Sequence, residues 1–174
     1  MTLIQTANNS FNSLRLPRFI EKEKKDKQVL SILEEHLSFF KDNKEFAVPV
    51  FDLNRELTDS INSARRSGYL IRGLESAKEK LDSEKKGISI AWAKTGESAP
   101  GRVSRLIITA NSGSERFYRN VTSLMKEHSP RVLVTALDVT GDTLGEKIFG
   151  PGHRALLLLL SHKDAVTDLL LALR

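Results

Sequence analysis

Apolar residues recur along this chain at two spacings, and the switches between them divide it into elements. From Asp26 to Asp42, Val29, Leu33, Leu37 and Phe40, joined by Leu30 and His36, repeat at helical spacing, with Asp26 placed to cap. Lys41 to Pro49 breaks the pattern, and Pro49 disfavours helix at Val48. A second helix is expected after Asp52, with Leu53, Leu57, Ile61 and Ala64 on one face. Tyr69 to Arg72 reads as a short strand, and Leu74, Ala77 and Leu81 line a helix ending near Glu84, where Lys85-Lys86-Gly87 supplies a basic, glycine-terminated stop. Ile88 to Lys94 alternates like a strand, Thr95 to Gly101 is a loop by composition, and Val103 to Ala110 is a central strand.

Ser112 with Glu115 has the spacing of a capping box, and Phe117, Val121, Leu124 and Met125 give the helix that follows its buried face. Beyond Pro130, Arg131 to Leu137 predicts a strand, Asp142 to Phe149 a short helix, Gly150 to Arg154 a loop, and Ala155 to Leu160 a fully buried strand. Ser161 or Lys163 opens the last helix, which turns Ala165, Val166, Leu169, Leu170 and Leu173 inward. Strands alternating with helices from Tyr69 onward call for an α/β protein, a three-layer α/β/α sandwich. Residues 1–25 are polar, with Asn8-Asn9-Ser10 and a charged run from Glu21 to Lys25, and are expected to form a loose arm. The expected division is therefore an N-terminal arm and helix over 1–49 and the α/β/α domain over 50–174.

Composition narrows the function. The 174 residues are 40% hydrophobic, enough for a core, and contain no cysteine, which removes thiol catalysis, disulfides and cysteine-ligated zinc. No apolar run approaches the ~20 residues of a membrane span, and Met1 to Ile20 lacks the apolar block of a signal peptide. A soluble, cytoplasmic protein without membrane contact is expected. A net charge of +5 favours acidic partners, nucleic acid above all.

The charge is organised around Ser63 to Glu75. Arg65 and Arg66 precede Gly68, Arg72 precedes Gly73, and Lys78 lies one turn into the next helix, so positive side chains flank exposed helix-terminal N–H groups where a phosphate could sit. Gly150-Pro-Gly-His153-Arg154 could present Phe149 or His153 for base stacking and Arg154 for a phosphate. Lys94 and Arg102 could extend such a surface. No P-loop, dinucleotide fingerprint or nucleophile elbow occurs, and His36, His128, His153 and His162 show no metal-ligand spacing, so no enzyme activity, cofactor or metal is expected.

Three segments together resemble a known family. Ala64-Arg-Arg-Ser-Gly-Tyr-Leu-Ile-Arg-Gly73, Leu106-Ile-Ile-Thr-Ala110 with Ser114-Glu-Arg116, and Thr143-Leu-Gly-Glu146 with Gly150 are similar, in order and spacing, to the helix and turn, central strand, and pre-strand segment of the kink-turn-type ribosomal RNA-binding superfamily. The likeness covers about residues 50–174 and leans toward the YlxQ-like domain that follows YlxR in bacterial fusion proteins. It implies an RNA site made of Arg72, Gly73, Leu74, Glu75 and Lys78 together with Phe149 to Arg154, including Gly150 and His153, and a structured RNA partner, ribosomal or otherwise. The chain departs from kink-turn binders at Glu75, Ser76 and Glu79, where they carry Asn, Glu and Lys, and its residues 1–49 contain no cysteine, so the cysteine-bearing upstream domain is expected to be absent, degraded or replaced. The expected function is non-enzymatic RNA binding. The alternatives are a protein-interaction adaptor using the 26–42 helix and a small enzyme acting on a phosphorylated ligand.

Overall fold

A computed structural model of the chain describes residues 11, 13–39, 47–96 and 101–174. The elements are α1 (Arg18–Lys22), α2 (Asp26–Glu35), β1 (Leu37–Phe39), β2 (Ala47–Phe51), α3 (Arg55–Arg66), β3 (Leu70–Arg72), α4 (Leu74–Thr95), β4 (Arg105–Thr109), α5 (Glu115–Glu127), β5 (Val132–Leu137), α6 (Gly141–Phe149), β6 (Leu157–Leu160) and α7 (Lys163–Ala172). The strands form one mixed sheet in the order β1-β2-β5-β4-β6-β3. Strands β2, β5 and β4 run parallel, while β1, β6 and β3 each pair antiparallel with a neighbour.

Period-2 alternation in the central strands separates two cores. Leu106, Ile108, Leu133, Leu137, Leu158 and Leu160 face a layer formed by α1, α2, α3, α6 and α7. Ile107, Val132, Val134, Leu157 and Leu159 face α4 and α5 through Ala77, Leu81, Tyr118, Val121 and Leu124. This is the α/β/α sandwich that the alternation of elements predicts. No described helix is long and apolar enough to cross a membrane.

The N-terminal quarter departs from expectation. Phe11, Leu16 and Ile20 are buried in the first core, and the Val103 N–H donates to the Arg15 carbonyl at 2.8 Å, so residues 13–25 are packed rather than a loose arm. Helix α2 stops at Glu35. His36 caps it, its ring nitrogen bonding the Ile32 carbonyl at 2.8 Å and its face stacking on Phe51 at 4.5 Å, and Leu37 to Phe39 leaves as a strand paired with Phe39↔Ala47 through Leu37↔Pro49. The division expected near residue 49 falls within β2, which joins β5 through Val50 and Phe51. The expected helical residues Phe40 to Asp42, Asn8 to Ser10, and residues 97–100 of the expected loop lie outside the described residues.

Three caps are also reassigned. Asn54, not Asp52, caps α3, accepting from the Leu57 N–H at 2.9 Å. Lys25 occupies the N-cap position of α2, with Asp26 as its first residue. Ser114, not Ser112, caps α5, and Ser112 Oγ accepts instead from the Gly141 N–H.

The largest correction concerns Ile88 to Lys94, which is helix and not strand. Helix α4 continues for 22 residues through Gly87 and ends at Gly96, whose φ of +70° suits a left-handed cap. Ile88, Ile90 and Trp92 alternate in sequence, but Ile88 and Trp92 also share a helix face at i, i+4, and Ile90 falls off that face and is 50% exposed. Glu84 lies inside the helix and ties it to the strands: its carboxylate accepts from both Arg105 Nη2 and Arg131 Nη2 at 2.6 Å.

Candidate nucleic-acid interface

The turn after α3 is set by a glycine. Gly68, at φ +76°, donates its N–H to the Arg65 carbonyl, and Tyr69 donates to the Ala64 carbonyl, the pair of bonds that closes a helix in a Schellman motif. The chain then enters β3, and at Gly73, with φ +96°, it turns into α4. The Gly73 N–H donates to the Leu157 carbonyl at 2.9 Å, fixing the glycine to β6. Gly73 occupies the N-cap position of α4 and has no side chain to cap it, and a Cβ built there would meet nothing within 4 Å. The first turn of a long helix therefore begins without a capping side chain on its N-cap residue, the setting in which its N–H groups can receive an anion.

The second segment reaches the same place by a close crossing. A Cβ on Gly145 of α6 would lie 2.5 Å from Arg154 Cα, so only glycine lets residues 153–154 pass over the helix. Gly150 and Gly152 take positive φ and turn the loop back. The register Arg72↔Leu158 then carries Arg72 onto this loop.

The two segments interlock. Arg72 donates through Nη1 to His153 Nδ1 at 3.2 Å and through Nη2 to the Arg154 carbonyl. The Arg72 and Arg65 guanidinium carbons lie 4.8 Å and 5.2 Å from the centre of the Phe149 ring, cation–π geometry, and Arg65 Nη1 donates to the Ile148 carbonyl at 3.1 Å. His153 lies beside the same ring, with centroids 6.2 Å apart. Residues proposed separately from sequence, Arg65, Arg72, Gly73, Phe149, Gly150, His153 and Arg154, thus form one surface.

Within it, roles differ from expectation. Phe149 is half-buried and covered by guanidinium groups, which leaves His153 as the exposed ring. Arg154 is exposed, 3.8 Å from Asp142. Arg66 is exposed and makes no ion pair among the described residues. Leu74 packs against the second core, while Glu75 is exposed in the first turn of α4. Lys78 is bound to Asp82, whose hydrogen bond and charge raise the lysine pKa and in turn hold the Asp82 carboxyl below the usual carboxylate range. Arg102 does not extend this surface. Its side chain is only 13% exposed and pairs with Glu21 at 2.7 Å, bonding also to the Leu16 carbonyl, so it holds the N-terminal segment against the sheet.

The helix expected to serve a protein partner spends its apolar face internally. Val29 and Leu33 are buried and Leu30 and Ile32 pack on the same core, so that stripe is occupied.

One grouping escaped the sequence reading. Asp82, Glu127 and His128 bring ligand-type atoms within 4.8 Å of one another, although they lie on separate elements. Asp82 is already engaged there by Lys78 of the same helix and by His128 Nε2 at 3.2 Å, which makes the cluster a polar bridge between α4 and the end of α5. No spacing could have signalled it.

Neither a protein-family model nor a characterised protein matches the sequence. Among solved structures the chain is similar to a protein of unknown function from Bacillus halodurans C, at 11% identity and a TM-score of 0.48, over 69% of this chain and 98% of that one.

Proposed function

We propose that this chain is a non-enzymatic RNA-binding protein of the kink-turn superfamily type, taking a structured RNA across the start of α4 and the loop after α6. The observation that carries the reading is the interlocking of Arg72 with His153 and Arg154 beside the helix start at Gly73, whose N-cap residue has no side chain. Phosphates are received by backbone N–H groups and by Arg66 and Arg154, while Arg65 and Arg72, held by carbonyls and Phe149, give the loop its shape and the surface its positive field. His153 supplies an exposed face for an unstacked base. The sequence likeness at Ala64 to Gly73 and Thr143 to Gly150 supports the same placement. Because Glu75, Ser76 and Glu79 replace the side chains with which kink-turn binders read that motif, backbone and shape dominate recognition here.

Binding of the full chain to bulk structured cellular RNA, followed by fluorescence anisotropy across a salt series, tests this. Affinity falls steeply with salt, and Arg66→Glu lowers the slope of log K against log salt by about 1, the loss of a phosphate contact. No measurable affinity at low salt sinks the reading.

A further inference from the structure

The opposite end of α4 carries a second feature, independent of the RNA surface. A cleft of about 730 Å³ opens between the N-terminal segment, the distal half of α4, the chain leading into β4, the loop joining α5 to β5 and the start of α7. Its size is that of a small-molecule site, for which about 300–1,000 Å³ is usual. Phe19, Ile88, Trp92 and Pro130 are among its walls, and Phe19 remains 54% exposed there, an aromatic side chain presented to solvent at a concavity instead of being packed away.

The charge around these walls is one-sided. Arg18, Lys85, Arg102, Arg131 and Lys163 line the cleft against Glu127 and Asp164. Arg102 is paired with Glu21, Arg131 shares Glu84 with Arg105, and Lys85 lies 4.0 Å from Glu127. Arg18 and Lys163 are exposed and make no ion pair among the described residues. An occupant that satisfies both the walls and these cations has an apolar body and an anionic head.

Two of the cleft's walls come from the N-terminal segment, through Pro17 to Phe19, and from the distal half of α4, through Ile88, Ser89 and Trp92. Phe19, Ile88 and Trp92 belong to neither core, and all three line this one cleft.

We propose that this cleft binds a small amphipathic organic acid, an aliphatic or aromatic body lying against Ile88, Trp92 and Phe19 with its carboxylate toward Arg18 and Lys163. Trp92 is the single tryptophan of the chain, so its fluorescence reports occupancy directly. The probe is decanoate below its micellar concentration, titrated into the full-length protein, with decylamine as the charge-reversed control. Decanoate shifts and saturates the Trp92 signal and raises the melting temperature, whereas decylamine binds at least fivefold more weakly. Arg18→Glu and Lys163→Glu, exposed positions on separate elements, each weaken decanoate by about fivefold, and Ile88→Asp abolishes the response. A non-saturating signal, equal responses to decanoate and decylamine, or charge-reversal variants that bind decanoate as tightly as the wild type would overturn the proposal. RNA binding can fail entirely while this result stands, and the converse also holds.

Discussion

The two ends of α4 are built in opposite ways. At the N-terminal end, Gly73 offers no capping side chain, and the loop after α6 is brought in by hydrogen bonds from Arg72 and a ring covered by the Arg65 and Arg72 guanidinium groups. At the other end, Ile88, Ser89 and Trp92 present side chains to a cleft whose remaining walls come from far along the chain. One end displays main-chain polarity, the other displays side-chain area. A single helix thus borders two surfaces of unlike chemistry, a basic one at its first turn and an apolar-walled cleft along its distal half.

The strongest way to break the N-terminal end alone is Gly145→Ala. The new Cβ meets the backbone of His153 and Arg154, which cannot rotate aside, so unfolding stability falls by about 3 kcal/mol and a urea melt shows it directly. The cleft shares no residue with this crossing, so decanoate binding by the folded fraction is unchanged.

Gly73→Ala separates backbone strain from crowding at the same end. Space around the glycine is free, so the cost comes from a φ of +96° and amounts to about 1–2 kcal/mol in the same melt. A change nearer zero would show that the helix start relaxes easily and is not the fixed feature described above.

The acid branch of stability probes the middle of the helix. Asp82 is held below the usual carboxylate range chiefly by its hydrogen bond from Lys78; burial opposes this, and the Lys78 charge and then His128 add to the lowering. A depressed folded pKa contributes stability above the unfolded value near 3.9 and loses it as pH falls through the folded one. Urea midpoints therefore drop below about pH 4 in the wild type, and Asp82→Asn flattens that drop while leaving both ends of α4 in place.

The smallest effect is electrostatic. Glu79 is exposed on the second turn of α4, where its charge opposes an approaching phosphate. Glu79→Lys raises RNA affinity by about threefold at low salt and less at high salt, as anisotropy would show.

The contrast between the ends also explains what could be read from residues alone. The Gly68 turn, Gly73 and the loop at Gly150 are local patterns, in which a glycine announces a backbone conformation and the adjacent arginines announce a field. Their meeting follows from the antiparallel pairing of β3 with β6, which the short strand and buried Leu157 to Leu160 run imply without specifying. The cleft could not be read, because Phe19, Trp92, Pro130 and Lys163 carry no shared spacing. Misreading Ile88 to Lys94 as a strand hid it further: over seven residues an alternating pattern and an i, i+4 pair coincide, and only the packing of α4 decides between them. The packing of the N-terminal segment is hidden in the residues for a related reason. Phe11, Leu16 and Ile20 are too widely spaced to show a period, yet each fills the first core once Arg102 pins the segment down.

The most direct test of the account is photocrosslinking of the full chain to bulk structured cellular RNA, with the attachment sites located by peptide mass spectrometry. The surface built around Arg72 and the interlocked loop predicts crosslinks in peptides containing Arg72 to Lys78 and Phe149 to Arg154, and a signal that Arg66→Glu reduces. Crosslinks concentrated in Pro17 to Phe19 and Lys85 to Trp92, or none above background, would contradict it.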